Sequence, residues 1–136
     1  TNISIGVWIN GNVVTEYDSF FGKNQALELH IYTGSQIWFW NTNATAKWTA
    51  AISPGVWYYV VGTYDGVNMR IYVNAEEGTS AGSTINTVSN SNPVTFGTYS
   101  TNYFNGRIAN AQIYTRALSA LEILQNFNTQ RDRFGV

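Results

Sequence analysis

The chain has 136 residues and a net charge of −1, and it contains no cysteine. Only 11% of its residues are charged while 44% are hydrophobic, whereas an average domain has roughly a quarter charged residues. These numbers predict one domain with its own core, and they exclude disulfides, thiolate metal sites and a cysteine nucleophile. No basic cluster favours nucleic acid, and no apolar run approaches the roughly 20 residues of a membrane span.

Short runs rich in aromatic and β-branched residues recur between turn signals, which is the pattern of an all-β sandwich or barrel. The turn signals include Pro54-Gly55 and Asp65-Gly66. The segment Glu76–Asn92 is rich in Ser, Thr, Asn and Gly, which indicates loops around a weak strand. The predicted strands lie near Ile3–Asn10, Val13–Tyr17, Ala26–Tyr32, Gln36–Asn41, Lys47–Ala51, Trp57–Asp65, Asn68–Asn74, Thr84–Val88, Val94–Gly97 and Gly106–Thr115.

One helix is predicted near the end of the chain. Ser119 and Glu122 form a capping-box pattern, in which each side chain accepts a hydrogen bond from the backbone N–H of the other residue. Leu121, Leu124 and Phe127 follow at helical spacing and predict an apolar stripe that docks on the sandwich. Further signals are a staple pair, cations at the helix end and a stop residue: Leu118 with Ile123, Arg131 with Arg133, and Gly135.

The hairpin around Asp65-Gly66 assigns faces to its two strands. With either a two-residue or a four-residue loop, one alternating set of side chains shares a face, and its apolar character predicts the core. That set is Val60, Gly62, Tyr64, Met69, Ile71 and Val73. The opposite, polar and aromatic face is compatible with solvent or a ligand, and it carries Tyr59, Val61, Thr63, Arg70 and Tyr72.

The preceding hairpin has two registers. Its first strand has a clear core face, so its outward residues are Glu28, His30 and Tyr32. A type II′ turn at Gly34-Ser35 would place Trp38 and Trp40 in the core. A three-residue loop Tyr32–Gly34 with a left-handed Gly34 and a bulge would instead place Ile37 and Phe39 there. A one-residue slip exchanges the two faces, and the local sequence leaves both registers open.

Two segments resemble the laminin G-like domains of the concanavalin A-like superfamily: "ISPGVWYYVVGTYDGVNMRIYVN" (Ile52–Asn74) and "FNGRIANAQIYTRALSALEI" (Phe104–Ile123). The similar features are a Trp before an apolar strand, a Tyr-Asp-Gly turn, a strand ending in Tyr-x-Asn, and a closing strand before Arg-Ala-Leu-Ser and a helix. The resemblance implies one two-sheet antiparallel jelly-roll sandwich with a short C-terminal helix over residues 1–136.

The resemblance carries three further expectations. The family has apolar residues at the positions of Ile37 and Phe39, which favours the register with Trp38 and Trp40 outward. The family opens with a strand that this sequence lacks, so we expect a fragment or a sheet completed by another chain. Many members bind Ca²⁺, but the eight acidic residues are dispersed here, so calcium is carried over as an option without ligands.

We expect no catalysis. Glucanases of this superfamily use a Glu-x-Asp-x-Glu strand, whose three carboxylates share one face. Glu16-Tyr17-Asp18 begins that pattern, but Phe20 and Phe21 stand where the third carboxylate should follow. His30 is the only histidine, and a triad would require a serine and an acid beside it.

The outward aromatic side chains form the candidate ligand-binding site. Its members are Trp38, Trp40, Tyr59 and Tyr72, with His30, Glu28 and Arg70 as polar partners. Aromatic rings stack on the C–H faces of sugars, and they also anchor protein interfaces. Three possibilities stay open: a glycan site, a contact between subunits, and a surface covered by the chain's own loop.

The ending Gln125–Val136 is similar to the tails of such domains in tailed-phage proteins. The leading hypothesis is therefore a phage virion surface protein, in capsid decoration or a tail fibre, that contacts other virion subunits, copies of itself or host glycans. The alternative is a carbohydrate-binding module of a secreted enzyme or adhesin. Both place the chain on the virion surface or outside the cell, without nucleic acid or membrane insertion.

Overall fold

A computed structural model describes residues 2–12, 17–23, 26–82, 90–99 and 102–136 of the chain. Its strands are β1 (Ile3–Gly11), β2 (Asp18–Lys23), β3 (Leu27–Tyr32), β4 (Gln36–Trp40), β5 (Thr45–Trp48), β6 (Tyr58–Tyr64), β7 (Asn68–Val73), β8 (Glu76–Gly82), β9 (Val94–Phe96), β10 (Thr98–Tyr99), β11 (Asn102–Tyr103) and β12 (Gly106–Tyr114). Helix α1 spans Ala120–Phe134. The predicted all-β architecture with a C-terminal helix is confirmed.

Ten of these strands form two antiparallel five-stranded sheets. Sheet I has the order β12-β1-β6-β7-β8, and sheet II has the order β5-β4-β3-β2-β9. Strands β10 and β11 form a separate two-stranded hairpin. Alternating apolar side chains from both sheets meet in a buried core, which includes Ile5, Val7, Leu29, Phe39, Val60 and Ile71.

The core parity predicted for the β6–β7 hairpin is confirmed. Val60 pairs with Val73 and Tyr64 with Met69, and all four side chains lie in the core. The last pair, Tyr64 with Met69, encloses four residues, and among these the Asp65 backbone N–H donates to the Asn68 carbonyl at 3.3 Å. The Asp65 carboxylate also accepts from the backbone N–H of Asn68 at 2.7 Å, a local bond that fixes such turns.

The β3–β4 hairpin adopts the register that the resemblance favours. Tyr32 pairs with Gln36, so the loop is Thr33–Ser35, one residue later than predicted. Gly34 is left-handed at φ 73, as expected, and Ser35 is also left-handed at φ 60. This register buries Ile37 and Phe39 and turns Trp38 and Trp40 outward.

Helix α1 packs on the outer face of sheet I. Trp8 of β1 is fully buried there, with its ring 4.1 Å from that of Phe134 and nearly parallel to it. The Trp8 indole N–H donates to the Gln130 side-chain oxygen at 2.9 Å. The same second core contains Tyr59, Val61, Tyr72, Leu118, Ile123 and Phe127. One outer face of the sandwich is therefore closed by the chain itself.

The predicted caps of α1 are confirmed, but its predicted stripe is partly wrong. Ser119 and Glu122 form the capping box, and Gly135 ends the helix in the left-handed region at φ 70. Phe127 is buried as predicted, whereas Leu121 is 63% and Leu124 43% exposed. The helix meets Trp8 through the side that bears Phe127 and Phe134, and Leu121 lies about 120° around the helix from Phe127.

Strand β2 was not predicted. The strand predicted at Val13–Tyr17 can be checked only at Tyr17, which is not in a strand. Residues 13–16 lie outside the described part, and Tyr17 lies in a turn before β2. Phe20 and Phe21 are consecutive and both buried, because a bulge lies between Ser19 and Phe21. Consecutive buried residues break the alternation that marks a strand in a sequence.

Two further strands differ from the prediction. Strand β5 ends at Trp48, so the predicted Lys47–Ala51 extends too far. The beginning of the predicted loop segment Glu76–Asn92 is instead strand β8, whose side chains are mostly exposed. As an edge strand, β8 is held by backbone pairing with β7, which leaves no apolar pattern in its sequence. The predicted strand Thr84–Val88 lies outside the described residues.

The contrast between Phe127 and Leu121 can be measured directly. Replacement Phe127→Ala should lower the free energy of unfolding by about 3 kcal/mol, because it opens a cavity between α1 and Trp8. Replacement Leu121→Ala, in the same helix, should change it by less than about 0.5 kcal/mol. Urea denaturation of both variants gives the comparison, and equal losses would contradict the packing described for α1.

Candidate functional site

The structure separates the residues predicted to form one site. Trp38 and Trp40 lie on the outer face of sheet II, whereas Tyr59 and Tyr72 lie on the outer face of sheet I. Tyr59 is 0% and Tyr72 4% exposed, because both are packed in the second core with residues of α1. The prediction of one continuous aromatic face is therefore wrong.

Arg70 is also apart from the tryptophans. It lies on β7 of sheet I, where its guanidinium donates to the Asp65 carboxylate at 2.6 Å. Glu77 of β8 is a second carboxylate neighbour, at 3.7 Å. The bond from Arg70 lowers the pKa of Asp65 to about 2. Arg70 therefore stabilises the β6–β7 loop, and a role beside Trp38 is excluded by its position.

The outer face of sheet II brings Glu28, His30, Trp38 and Trp40 together. Glu28 pairs with Trp40, and His30 pairs with Trp38 on the adjacent strand. Side chains directly opposite each other on antiparallel strands are in contact range. We call this surface, with Tyr32 of β3 and Lys47 of β5, the β3–β5 face.

Trp38 is enclosed from both sides within this face. The ring of Tyr32 stacks on it with centroids 3.8 Å apart, and the Lys47 ammonium lies 4.4 Å from its ring centroid. Tyr32 belongs to β3 and Lys47 to β5, and these strands flank β4 on opposite sides. A sugar ring could stack on Trp38 only by displacing one of these neighbours.

Trp40 has a freer ring than Trp38. It is half-buried and lies between Glu28 of β3 and Thr45 of β5. Within the part of the chain that the structure describes, no aromatic ring or cation contacts the Trp40 ring. Trp40 is therefore the better candidate for stacking against a ligand.

His30 lies in a ring of aromatic side chains. Its imidazole centroid is 6.4 Å from that of Tyr17, 6.0 Å from that of Tyr32 and 6.1 Å from that of Trp38. Nδ1 of His30 is buried and has no hydrogen-bond partner among the described residues. The nearest charged group is Glu28, whose Oε2 is 3.7 Å away. A buried polar atom without a partner is costly and calls for an explanation, and the Tyr59 hydroxyl in the second core is another such atom.

Burial shifts both titratable groups toward their neutral forms. It raises the pKa of Glu28 to about 7, against a smaller opposite effect of a hydrogen bond from Ser19. It lowers the pKa of His30 to about 4. At neutral pH the imidazole is therefore uncharged, and it has one donor and one acceptor nitrogen. The pair is suited to hydroxyl groups rather than to a strongly charged ligand.

A dense cluster of acidic ligands is not found among the described residues. None of them form a group of three or more His, Asp or Glu side chains that could hold a metal ion. Ca²⁺ requires six to eight oxygen ligands, and the Asp65 carboxylate is already bound to Arg70. The calcium option suggested by the resemblance stays an expectation without named ligands. No described helix is long and apolar enough to cross a membrane.

Sequence reasoning missed three members of the β3–β5 face and its surroundings. Tyr32 alternates with Glu28 and His30 on β3 and could have been included from parity alone. Lys47 required the β4–β5 register, because it lies opposite Trp38 on β5. Tyr17 precedes a strand that was not predicted, so no local signal placed it beside His30.

The two antiparallel sheets stack in the strand order of a jelly-roll β-sandwich. One outer face of this sandwich lies under a helix, and the other carries aromatic side chains. The chain belongs to the concanavalin A-like lectin/glucanase superfamily, whose laminin G-like family model matches residues 1–124. The resemblance seen in the sequence is thereby confirmed. No curated protein is a detectable relative of the chain.

Several solved structures share the fold. A Bacteroides ovatus protein to which carbohydrate binding is attributed has a TM-score of 0.82 and 18% identity over 91% of this chain and 40% of its own. Domain 4 of an extracellular arabinanase from Geobacillus stearothermophilus, solved with arabinotriose, has a TM-score of 0.71 and 18% identity over 90% of this chain and 65% of its own. A Limulus polyphemus pentraxin has a TM-score of 0.69 and 15% identity, with 90% and 68% covered. The chain spans less than half of the Bacteroides protein.

The shifted pKa values of Glu28 and His30 should have opposing effects on how the free energy of unfolding changes with pH. The raised pKa of Glu28 weakens the fold as pH rises from about 4.5 to about 7, because the unfolded carboxyl ionises first. The lowered pKa of His30 strengthens the fold as pH rises from about 4 to about 6.5, because the unfolded imidazole holds its proton longer. The two effects largely cancel between about pH 4.5 and 6.5.

Single replacements should remove this cancellation. His30→Gln should lose stability as pH rises through that window, whereas Glu28→Gln should lose stability as pH falls through it. Each effect has an upper bound on the order of 3 kcal/mol. Urea denaturation at several pH values between 4 and 8 measures the slopes. Identical slopes for both variants and the parent would show that the pair is not desolvated as described.

Proposed function

We propose that the chain is a non-catalytic carbohydrate-binding module that holds a glycan on the β3–β5 face. The observation that carries the proposal is the half-buried ring of Trp40, which no described aromatic ring or cation contacts, beside the buried polar pair of Glu28 and His30. Ligand sites combine apolar or aromatic surface with a few placed polar groups, and this face has that combination. Helix α1 occupies the other outer face, which favours sheet II as the binding side.

Each residue of the β3–β5 face has a stated role in this proposal. Trp40 stacks on the C–H face of a sugar ring, in the way that aromatic rings present large apolar surface. Glu28, which is about half ionised at neutral pH, and His30, which is uncharged, exchange hydrogen bonds with hydroxyl groups at the edge of that ring. Trp38 is a positioning residue, because it is stacked between Tyr32 and Lys47.

A glycosidase activity is not supported by this face. Hydrolysis with retention or inversion requires two carboxyl groups on opposite sides of the scissile bond. Glu28 is the one carboxylate that β3, β4 and β5 contribute. One carboxyl group can bind a sugar hydroxyl, but it cannot serve as both acid and nucleophile or base.

The similar structures support the choice of a saccharide. Carbohydrate binding is attributed to the Bacteroides ovatus protein, and the arabinanase domain was solved with arabinotriose. Both proteins share only 18% sequence identity with this chain, so the comparison shows a common fold. The argument that this chain binds a saccharide therefore depends on its own side chains. The virion role predicted from the sequence ending stays a prediction, and a virion protein that recognises host glycans would use the same face.

Replacement Trp40→Ala tests the proposal. It should weaken glycan binding roughly tenfold or more, because it removes the stacking surface and leaves the core untouched. Trp40→Phe, which keeps a smaller ring, should give an intermediate affinity. A glycan array identifies the ligand, and calorimetry with arabinotriose or the best array hit gives the affinities.

The control is Tyr103→Ala, which removes a 71% exposed aromatic side chain from the β10–β11 hairpin. It should bind like the parent protein, since Tyr103 is not part of the β3–β5 face. Absence of any glycan binding by the parent would refute the proposal. Equal losses in Trp40→Ala and Tyr103→Ala would show that adhesion to exposed rings is non-specific.

A further inference from the structure

The two long edges of the sandwich differ in how they are closed. At one edge, the Thr79 hydroxyl of β8 accepts from the Lys47 backbone N–H at 2.8 Å and donates to the Lys47 carbonyl at 3.2 Å. Lys47 belongs to β5, so these bonds join the last strand of sheet I to the last strand of sheet II. The opposite edge consists of β12 in sheet I and of β9, which has only three residues, in sheet II.

Strand β12 is a long strand with a free side. It has nine residues and pairs with β1, and no other strand pairs with it among the described residues. None of its residues is buried. Such an edge presents a row of backbone N–H and carbonyl groups to any strand that can align with it. Lysine and proline often protect an edge, but β12 contains neither, and its one charged residue is Arg107.

One apolar side chain of β12 lies on the core side of sheet I and is nevertheless exposed. Ile113 pairs with Ile5, which is 0% exposed and lies in the core. Ile113 itself is 46% exposed. Ile108 lies in the same row, opposite Ile9, and packs partly against the core. The core side of the sandwich is therefore open at Ile113, and a further strand beside β12 would cover this side chain.

A bulge in β12 sets the direction of its side chains. Between Ala109 and Gln112, the two residues Asn110 and Ala111 lie opposite a single residue of β1. Asn110 is left-handed at φ 48, and its side-chain amide donates to Gln130 of α1 at 3.0 Å, which holds the bulge in place. The extra residue shifts the alternation of side chains by one position. Residues five positions apart across the bulge therefore point to the same face.

This shift makes β12 complementary to itself in an antiparallel pairing. When two copies meet with a two-fold axis at the centre of the bulge, Ile108 lies opposite Ile113 of the second copy, and Arg107 lies opposite its Tyr114. The isoleucines belong to the core side in both copies, and Arg107 and Tyr114 belong to the outer side. Without the extra residue, the same pairing would set core-side residues against outer ones.

We propose that β12 is a homodimer interface, in which two copies pair their β12 strands antiparallel and join their five-stranded sheets I into one continuous sheet. The pairing is isologous, so each contact occurs twice. Ile108 and Ile113 cover each other on the core side, and the Arg107 guanidinium lies beside the Tyr114 ring of the second copy. A second copy is the occupant that the sequence favours, because β12 matches itself on both faces.

The dimer would present both β3–β5 faces in one direction. A two-fold axis perpendicular to a sheet leaves the two faces of the sheet unchanged, so sheet II of each copy lies on the same side of the joined sheet. Two Trp40 side chains would then face one glycan-bearing surface, which increases the apparent affinity through avidity. This consequence rests on the proposed function, whereas the dimer itself does not.

Sedimentation velocity over a range of protein concentrations measures the equilibrium between monomer and dimer. Ile113→Lys places a charge opposite an isoleucine of the second copy, and it should raise the dissociation constant of the dimer at least tenfold. Val67→Lys is the matched control, because Val67 is 65% exposed in the β6–β7 loop and β1 separates β6 from β12. It should leave the dissociation constant unchanged. Thermal unfolding of both variants establishes that they are folded.

The register can be tested by cross-linking, because the chain has no cysteine of its own. Ala111→Cys places a thiol beside the two-fold axis, next to the same thiol of the second copy. Thr115→Cys, also at an exposed position, places the two thiols about nine strand positions or 30 Å apart. Mild oxidation should therefore give a disulfide-linked dimer of Ala111→Cys and leave Thr115→Cys monomeric on a non-reducing gel.

Three outcomes would overturn the inference. The first is a parent protein that stays monomeric at every concentration, which would leave a strand from elsewhere as the occupant of the β12 edge. The second is a dimer that Ile113→Lys does not weaken, and the third is equal cross-linking of Ala111→Cys and Thr115→Cys. Glycan binding that is lost in Trp40→Ala would leave the proposed function standing in all three cases. A dimer that binds no glycan would support the interface and refute the proposed function.

Discussion

The packing of α1 on Trp8 is the interaction on which the rest of the structure depends. A two-sheet sandwich has two outer faces, and burial of Trp8 against Phe127 and Phe134 closes one of them. The indole N–H is satisfied by Gln130, whereas the hydroxyl of Tyr59, buried in the same cluster, has no hydrogen-bond partner among the described residues. Helix α1 covers sheet I, whereas the half-buried rings of Tyr32, Trp38 and Trp40 lie on the outer face of sheet II.

The two outer faces differ in the ionisable groups that they bury, although each holds one buried polar atom without a described partner, the Tyr59 hydroxyl under α1 and His30 Nδ1 on sheet II. Under α1, the capping box and the left-handed Gly135 satisfy the helix ends, and the side chains that meet the sheet are mainly apolar. On sheet II, Glu28 and His30 are buried among aromatic rings, and the imidazole Nδ1 is left without a described partner. A sandwich built only for stability would place apolar residues there. The buried carboxyl and imidazole groups are the physical basis of the binding proposal for the β3–β5 face.

Local sequence signals predicted what is locally determined and failed where distant strands meet. Alternation and turn residues correctly gave the core face of β6 and β7, and capping residues gave the ends of α1. Tyr59 and Trp38 were assigned to one surface because the side chains of both residues point away from the core. They belong to different sheets, however, so they point to opposite sides of the sandwich. The sheet to which a strand belongs depends on distant strands and cannot be inferred from local sequence. The choice between the two β3–β4 registers came from the family resemblance, since either turn was chemically reasonable. The edge strand β8 could not be seen, because backbone pairing leaves no pattern in the side chains.

The contact between Trp8 and Gln130 joins residues that are 122 positions apart in the chain. Strand β1 also pairs with β12, and the Ser4 hydroxyl donates to the Arg116 carbonyl. The first strand therefore obtains both its edge partner and its cover from the last part of the chain. Contacts of such large sequence separation slow folding, because a long loop must close before they form. During synthesis, Trp8 on the outer side of β1 stays uncovered until α1 has been made. A nascent chain that is stopped before α1 would therefore expose Trp8 and would be prone to aggregate.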